Sequence, residues 1–366
     1  MKKKILLAAA VAAVIGAAGC TPAAANEGAD AITIAVIGDW PYNDLLLANS
    51  DLLIDSVNAD AKIKTVIHVG DIHSGSQPCT SAGILPPIAT ANPGWNQQVF
   101  QRFQKFIAPV VYTPGDNEWT DCHKTKEKSA GAPLKELAAV RGLFFSRPGI
   151  TLGVNEMEVA SQAKAHDPAF PDDAQFVENV MWIDGKVLFV ALNVPGSNND
   201  GLKWAAPFTD EAARLNEVAQ RNAANARWLD AAFAAAKARP AKAVVIALQA
   251  DMFDPAAIVA GGDGLNNYTP LVQQIAARAL EFGGPVLLLN GDSHLYEADH
   301  PLADPASPTG VIHGTPPVPN LTRITVQGST NAPAEWLRLT IDANDPRAPF
   351  RFTNVPYCRD PLTSCN

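Results

Sequence analysis

The sequence is short of positive charge and of long apolar segments. Lys and Arg total 28 against 37 Asp and Glu, so the formal net charge is −9. A chain this acidic lacks the basic surface that attracts nucleic acid or anionic lipid, so we expect no nucleic-acid partner. Beyond residue 18, no stretch is long and apolar enough to cross a bilayer.

Several catalytic motifs are also missing. The chain has neither a P-loop nor a Gly-x-Gly-x-x-Gly dinucleotide fingerprint. It has no Gly-x-Ser-x-Gly elbow, and Ser74 and Ser293 have no base close by in the sequence. These absences disfavour a serine hydrolase and the common nucleotide-binding folds.

The N-terminus carries a candidate export signal. Three lysines at positions 2–4 precede an apolar run over residues 5–18, and small residues follow. This pattern predicts a signal peptide over residues 1–20 and a linker over 21–30. Two cleavage sites compete: Cys20 resembles the lipidated residue of a lipoprotein, which would attach the protein to a membrane, whereas Ala23-Ala24-Ala25 suits ordinary cleavage. We therefore expect a periplasmic or secreted protein, or an outer-membrane or cell-surface lipoprotein.

Cysteines are few, and their number is odd. Setting Cys20 aside leaves Cys79, Cys122, Cys358 and Cys365, an even set for an oxidising compartment. Cys358 and Cys365 bracket a short tail, and Cys79 and Cys122 each follow one of the motifs described below. We predict both bridges, the second of which would fasten two active-site loops.

Short apolar runs alternate with helical patterns along the chain. The runs suit strands buried on both faces, and the alternation predicts an α/β layered fold with one domain over residues 31–366. The predicted strands are 32–37, 66–69, 110–113, 187–192, 244–248 and 286–289, followed by 322–326 and 336–341 as an antiparallel edge or second sheet. The predicted helices are 45–57, 96–107, 209–238 and 269–283.

Four of these strands end in the dipeptide Gly-Asp. The aspartates are Asp39, Asp71, Asp116 and Asp292. Open α/β sheets bind ligands beyond the carboxyl ends of their strands, so the four carboxylates are expected to converge. One such Asp is as easily explained as the cap of a turn, but four are better explained by cations that offset their repulsion.

The motifs resemble those of the calcineurin-like metallophosphoesterases, the superfamily that includes the purple acid phosphatases. The resemblance runs in order through Gly38-Asp39-Trp40, Gly70-Asp71-Ile72-His73, Gly115-Asp116-Asn117-Glu118 and Gly291-Asp292-Ser293-His294. It implies a four-layer α/β/β/α sandwich with two metal ions. By position, Asp39 and His294 would hold the first ion, Asp71 would bridge both, and Asp116, Gln249 and Asp292 would hold the second.

The chain departs from the superfamily pattern at several histidines. Pro41 stands where the first His is expected, Asp116-Asn117 replaces Asn-His, Gln249 replaces a lone His, and Asp292 replaces the first His of the last pair. Imidazoles are thus exchanged for oxygen ligands. Oxygen ligands favour hard ions, so we expect Mn, Mg, Fe or Ca rather than Zn.

The proton donor is a further departure. In the superfamily a histidine at the position of Asn117 protonates the leaving group, which an amide cannot do. By position Asn117, His73 and His294 are the expected catalytic residues, and Asn117 is also expected to contact substrate. His73 and His123 are the candidates to replace that histidine as proton donor. His73 is equally well explained as a polar loop residue, and for His123 a role without catalysis is favoured. Trp40 and Trp119, which directly follow site motifs, are candidates to wall the pocket, although packing is the commoner role. His68 is expected to be a hydrogen-bonded core residue.

The resulting hypothesis is a hydrolase acting on ester bonds of a small phosphorylated substrate. Two metal ions would clamp the phosphoryl oxygens, and a metal-bound hydroxide would attack in line. Whether the ester is a monoester or a diester is left open. The alternative is a surface protein of the same fold that binds an ion, such as calcium, and catalyses nothing.

Overall fold

The computed structural model of the protein describes residues 30–79, 94–127 and 131–365. Two β-sheets form its centre. In spatial order, the first sheet contains β12 (Phe350–Cys358), β11 (Ala334–Ile341), β1 (Ile32–Ile37), β2 (Ile63–His68) and β3 (Val110–Tyr112). The second contains β4 (Ala160–Ser161), β5 (Val180–Asp184), β6 (Val187–Ala191), β7 (Ala243–Ala247), β8 (Val286–Asn290), β10 (Leu321–Thr325) and β9 (Glu297–Asp299).

Both sheets are mixed. In the first, β1, β2 and β3 are parallel, and β11 and β12 add an antiparallel edge. In the second, β6, β7, β8 and β10 are parallel, with antiparallel strands at both edges. The carboxyl ends of the parallel strands carry the motifs singled out above.

Helices cover the outer faces of the sheets. The helical segments are α1 (Asp44–Ala48), α2 (Ser50–Asn58), α3 (Trp95–Phe103), α4 (Pro133–Phe144), α5 (Gln162–Ala165), α6 (Gly196–Asp200), α7 (Glu211–Ala238), α8 (Thr269–Phe282) and α9 (Pro308–His313). Asp210 caps α7 by accepting a hydrogen bond from the backbone N–H of Ala213, and Gly283 ends α8 in the left-handed conformation. These are the start and stop residues that the sequence predicts.

Alternation along the strands produces three packed layers of side chains. Ile34 and Val36 of β1 face the second sheet in a core shared by both sheets, whereas Ala35 and Ile37 face α2, α3 and α4. A third core joins the second sheet to α7 and α8. Helix, sheet, sheet and helix therefore follow one another, so the predicted α/β/β/α sandwich is confirmed.

The structure differs from the predicted elements at several points: β5, β9 and α9 were not predicted, and the helix predicted over 96–107 is α3, which ends at Phe103. The helix predicted over 45–57 is two helices, α1 and α2, that meet at Asn49. The last two predicted strands, β10 and β11, belong to different sheets. The partly exposed edge strand β12 and helix α4 are not indicated by apolar runs.

Both predicted disulfides are present, joining Cys79 to Cys122 and Cys358 to Cys365. The predicted signal peptide and Cys20 lie outside the described residues. Among the described residues, no helix combines the length and apolarity that a bilayer crossing requires.

Candidate metal centre

Glycines let the aspartate-bearing strand ends approach one another. A Cβ built on Gly115 would lie 2.5 Å from the backbone N of Asp71, and one built on Gly291 would lie 2.5 Å from Asp39 Oδ2. Real Cβ atoms do not come closer than about 3 Å to other heavy atoms. Gly115 and Gly291 are therefore required by the close approach of Asp71 and Asp39.

Asp39, Asp71 and His294 form a compact group of potential ligands. Each offers one ligand atom, and these atoms lie within 4.8 Å of one another. His294 Nε2 is 3.2 Å from Asp39 Oδ1. All three residues have positive φ angles, 50°, 61° and 65°, a conformation that non-glycine residues adopt rarely and mostly at functional sites.

Tyr42 lies at the centre of this group, and the sequence motifs did not single it out. Its hydroxyl is 2.6 Å from Asp71 Oδ2, 3.0 Å from Asp39 Oδ1 and 3.1 Å from His294 Nε2. Burial, with Asp39 and Asp71 adding to it, raises the pKa of Tyr42 well above its usual value. The signal that would have revealed it is its position three residues after the first Gly-Asp.

Asp116 and Asp292 form a second pair of carboxylates. Both face Gly196, where a built Cβ would lie 2.6 Å from Asp292 Oδ1 and 2.9 Å from Asp116 Oδ2. Gln249 Nε2 donates to Asp116 Oδ1 at 3.2 Å, and Gln249 Oε1 accepts the backbone N–H of Gly196. Gln249 thus presents a donor to the pair in this arrangement, not the oxygen that its predicted role as a ligand needs.

The carboxylates are strained electrostatically by burial and by one another. Burial, then Asp116, raises the pKa of Asp71 well above its usual value, and burial, then Asp116 and Asp39, does the same for Asp292. Although burial alone would lower it, the neighbouring Asp39 carboxylate raises the pKa of His294 to about 9. Asp39 Oδ2 is buried with no hydrogen-bond partner in the described part of the chain. Oxygen-rich, mutually repelling and incompletely bonded, this donor set fits hard cations.

Asn117 holds the Asp71 carboxylate in place. Its Nδ2 donates to Asp71 Oδ2 at 2.9 Å and to the carbonyl of His73 at 3.1 Å, and its backbone N–H donates to Asp71 Oδ1 at 3.2 Å. The ring of His73 is buried, and burial lowers its pKa to about 4. Its Nδ1 faces the Ser74 carbonyl, while Nε2 has no partner among the described residues. His73 thus joins the site through its carbonyl, and its ring is neutral at ordinary pH.

The other singled-out histidines and tryptophans pack in the interior. His68 accepts the backbone N–H of Gly70 and bonds the Trp40 carbonyl, which confirms a hydrogen-bonded core residue. His123 Nδ1 accepts the backbone N–H of Ala205. Trp40 and Trp119 are 1% and 0% exposed, so the structure places neither indole on an open pocket wall.

Glu118 supports the site from behind. Its Oε1 accepts hydrogen bonds from the Tyr112 hydroxyl at 2.8 Å and the backbone N–H of Ile72 at 3.1 Å. Burial raises the pKa of Glu118 to about 7. Glu118 therefore ties the segment after Asp71 to the segment after Asp116.

The Cys79–Cys122 disulfide fastens the same two segments. Both sulfur atoms lie near the carbonyl oxygen of Asn117, at 3.4 and 3.7 Å. The disulfide therefore lies against Asn117, the residue that orients Asp71. This position agrees with the prediction that the bridge joins two loops of the site.

A left-handed turn and two lysines complete the site. Ser197, Asn198, Asn199 and Asp200 have consecutive φ angles between 52° and 62°, so α6 is a single turn of left-handed helix. Ser197 Oγ donates to Asp116 Oδ2 at 2.8 Å and is 2.7 Å from the Lys124 ammonium. The second lysine is Lys126, whose ammonium lies 3.1 Å from Asp121 Oδ2. The composition of residues 196–200 predicts an ordinary turn, and no motif in the sequence singles out either lysine.

Comparisons with known proteins leave the family unassigned. No family model matches the chain, and no curated protein matches it in sequence. Among solved structures, the chain is similar to GAP50, the anchor in the inner membrane complex of Plasmodium. The TM-score is 0.44 at 8% identity, over 90% of each chain.

The chain is also similar to 5'-nucleotidase from Candida albicans SC5314. The TM-score is 0.40 at 11% identity, over 89% of this chain and 51% of that one. The chain therefore spans about half the length of that enzyme.

Proposed function

We propose that the protein is an exported, metal-dependent phosphoesterase. The observation that carries the proposal is the group formed by Asp39, Asp71 and His294, whose ligand atoms lie within 4.8 Å of one another beside the further carboxylates of Asp116 and Asp292. Buried carboxylates in this number are costly unless cations lie between them. A set of this kind at the ends of four strands is better explained by ions than by capping.

The residues divide between two ion positions. Asp39, Asp71 and His294 would hold the first ion, and Asp116 and Asp292, with Asp71 shared, would hold the second. When bound, such ions supply a Lewis acid for phosphoryl oxygens and lower the pKa of a water molecule. Tyr42 and Asn117 orient the Asp71 carboxylate through hydrogen bonds of 2.6 and 2.9 Å.

The leaving group receives little help from the chain. The amide of Asn117 is not acidic enough to give up a proton, and the His73 ring is buried and neutral, because burial lowers its pKa to about 4. General acid catalysis contributes roughly 10²–10⁴-fold to rates where it operates. We therefore propose substrates whose leaving oxygen departs without a strong proton donor.

One observation favours the second candidate, a metal-binding protein without catalytic activity. The amide oxygen of Gln249 is occupied by the backbone N–H of Gly196, which leaves the second ion position with one oxygen donor fewer. A single ion held by Asp39, Asp71 and His294 would then serve binding or stability.

Hydrolysis by metal-stripped and reloaded protein separates the two candidates. An aryl phosphate monoester and a diester would be tested with Mn, Mg, Fe, Ca and Zn. Asp71→Asn is expected to abolish turnover while the protein stays folded, because the amide removes charge from a repelling cluster. Asp51→Asn, at a side chain 63% exposed on α2, is the matched control and should behave as wild type. Tight binding of one ion without turnover under any condition would favour the non-catalytic binder.

A further inference from the structure

Lys124 and Lys126 form a cationic edge beside the carboxylates, together with Asp121 and Ser197. Asp121 is 1% exposed, and its Oδ2 lies 2.7 Å from the Lys124 ammonium and 3.1 Å from that of Lys126. Although burial alone would raise it, the two lysines hold the pKa of Asp121 below its usual value. One buried carboxylate thus anchors two ammonium groups.

The lysine edge opens onto the same cleft as the proposed second ion position. A cleft of about 330 Å³ is lined by Lys124, Lys126 and Ser197 as well as Asp116 and Asp292. Ser197 connects the two sides, because its hydroxyl contacts Lys124 at 2.7 Å and Asp116 at 2.8 Å. A ligand bound to an ion that Asp116 and Asp292 hold would therefore lie close to the two ammonium groups.

Lys126 also reaches toward the first ion position. A Cβ built on Gly75 would lie 2.7 Å from both Lys126 Nζ and Asn117 Oδ1, so both atoms border the same small space beside Gly75. Asn117 in turn donates to Asp71. The side chain of Lys126 is 51% exposed and that of Lys124 is 19% exposed. Asp263, which also lines the cleft, lies 3.9 Å from the Lys124 ammonium.

This arrangement is not explained by stability alone. A buried aspartate needs one partner, and a second ammonium held close to the first is repelled by it. Five aspartates line the cleft against these two lysines, so the ammonium groups form a cationic side of a lining that is otherwise acidic. Fixed ammonium groups beside bound cations suit a ligand that carries more than one negative charge.

We propose that Lys124 and Lys126 are specificity-determining residues that select phosphomonoester dianions over phosphodiester monoanions. The proposal rests on the proposed phosphoesterase function and specifies its substrate class. A monoester dianion carries a second negative charge on a terminal oxygen, whereas a diester has an ester substituent there. Lys126, the more exposed lysine, would contact that oxygen, and Lys124 would hold Ser197 and Asp121 in place behind it.

The test compares two ester classes in one set of variants. In Lys126→Met, the ratio of kcat/KM for an aryl phosphate monoester to that for a diester is expected to fall about tenfold, mainly through KM, which is the size of a lost charge-assisted hydrogen bond. Lys126→Arg should restore most of the ratio. Lys237→Met, in the last turn of α7 with a side chain 82% exposed, is the matched control and should keep the wild-type ratio. An unchanged ratio in Lys126→Met would overturn the inference while leaving the proposed function intact.

Inorganic phosphate provides a readout that does not depend on turnover. Calorimetric titration of phosphate into metal-loaded protein should give an affinity about tenfold weaker for Lys126→Met than for wild type. If wild type hydrolyses neither ester, the proposed function fails and this titration alone decides the inference. Equal phosphate affinities, or no phosphate binding to wild type, would then refute the lysine edge as an anion site.

Discussion

Replacing Gly115 with alanine would push a methyl group into the chain at Asp71. The added Cβ would lie 2.5 Å from the backbone N of Asp71 and 2.8 Å from its Cγ. A backbone atom has no rotamer by which to move away, so the end of β3 or the end of β2 must shift. Because Asp71 is shared by both proposed ion positions, the shift would change both.

The size of the effect follows from this clash. Overpacking of a close-packed interior costs about 1–3 kcal/mol, and we expect that loss in the free energy of unfolding. Displacing groups that orient a metal ligand typically weakens metal affinity by about 10–100-fold. We therefore expect Gly115→Ala to lower both the free energy of unfolding and the metal affinity, although the substitution replaces none of the proposed metal ligands.

Urea unfolding of the metal-free protein and calorimetric metal titration would measure the two effects. The matched control is Gly142→Ala, inside α4, where a built Cβ meets nothing within 4 Å. That substitution should stabilise the protein by roughly 0.5–1 kcal/mol and leave metal affinity unchanged, since alanine favours helix over glycine. A Gly115→Ala variant with the stability and metal affinity of wild type would refute the close approach of β2 and β3 on which the site depends.

Three further predictions concern charge, orientation and leaving group. Burial and then Asp121 raise the pKa of Asp116 in the folded protein, so its protonated form is favoured there. Metal-free wild type should therefore lose stability relative to Asp116→Asn as pH rises above about 4; Tm values at matched pH measure this, and parallel profiles would contradict it. Tyr42→Phe removes the hydroxyl 2.6 Å from Asp71 and should weaken metal affinity by roughly 10–100-fold in calorimetry; an unchanged affinity would exclude Tyr42 from the site. Because Asn117 supplies no proton, log kcat/KM for a series of aryl phosphates should fall steeply as the leaving-group pKa rises, and a flat series would point to a proton donor elsewhere.

The strands and their Gly-Asp ends could be predicted because their signals are local. An apolar run such as Ile32–Ile37 and the Gly-Asp that follows it are adjacent in sequence, and parallel strands bring their carboxyl ends to one edge. The edge strand β12 could not be predicted in this way, because both of its faces are partly exposed and its sequence lacks a continuous apolar run.

The parts of the site that could not be predicted depend on contacts between distant segments. Tyr42 matters because α1 begins beside the end of β2, and Ser197 matters because a left-handed turn after β6 reaches Asp116 in the other sheet. The orientation of Gln249 is decided by the backbone N–H of Gly196. None of these pairings follows from a motif or a period in the sequence.

The most direct test of the account counts metal ions and turnover in the same samples. Protein stripped of metal would be reloaded stepwise with Mn, and bound metal per chain and the hydrolysis rate of an aryl phosphate would be measured at each step. We predict that turnover rises with metal content, saturates at two ions per chain, and is absent from Asp71→Asn at every loading. Full loading without turnover, or turnover that survives removal of all metal, would contradict the claim that these strand-end carboxylates form a phosphoesterase centre.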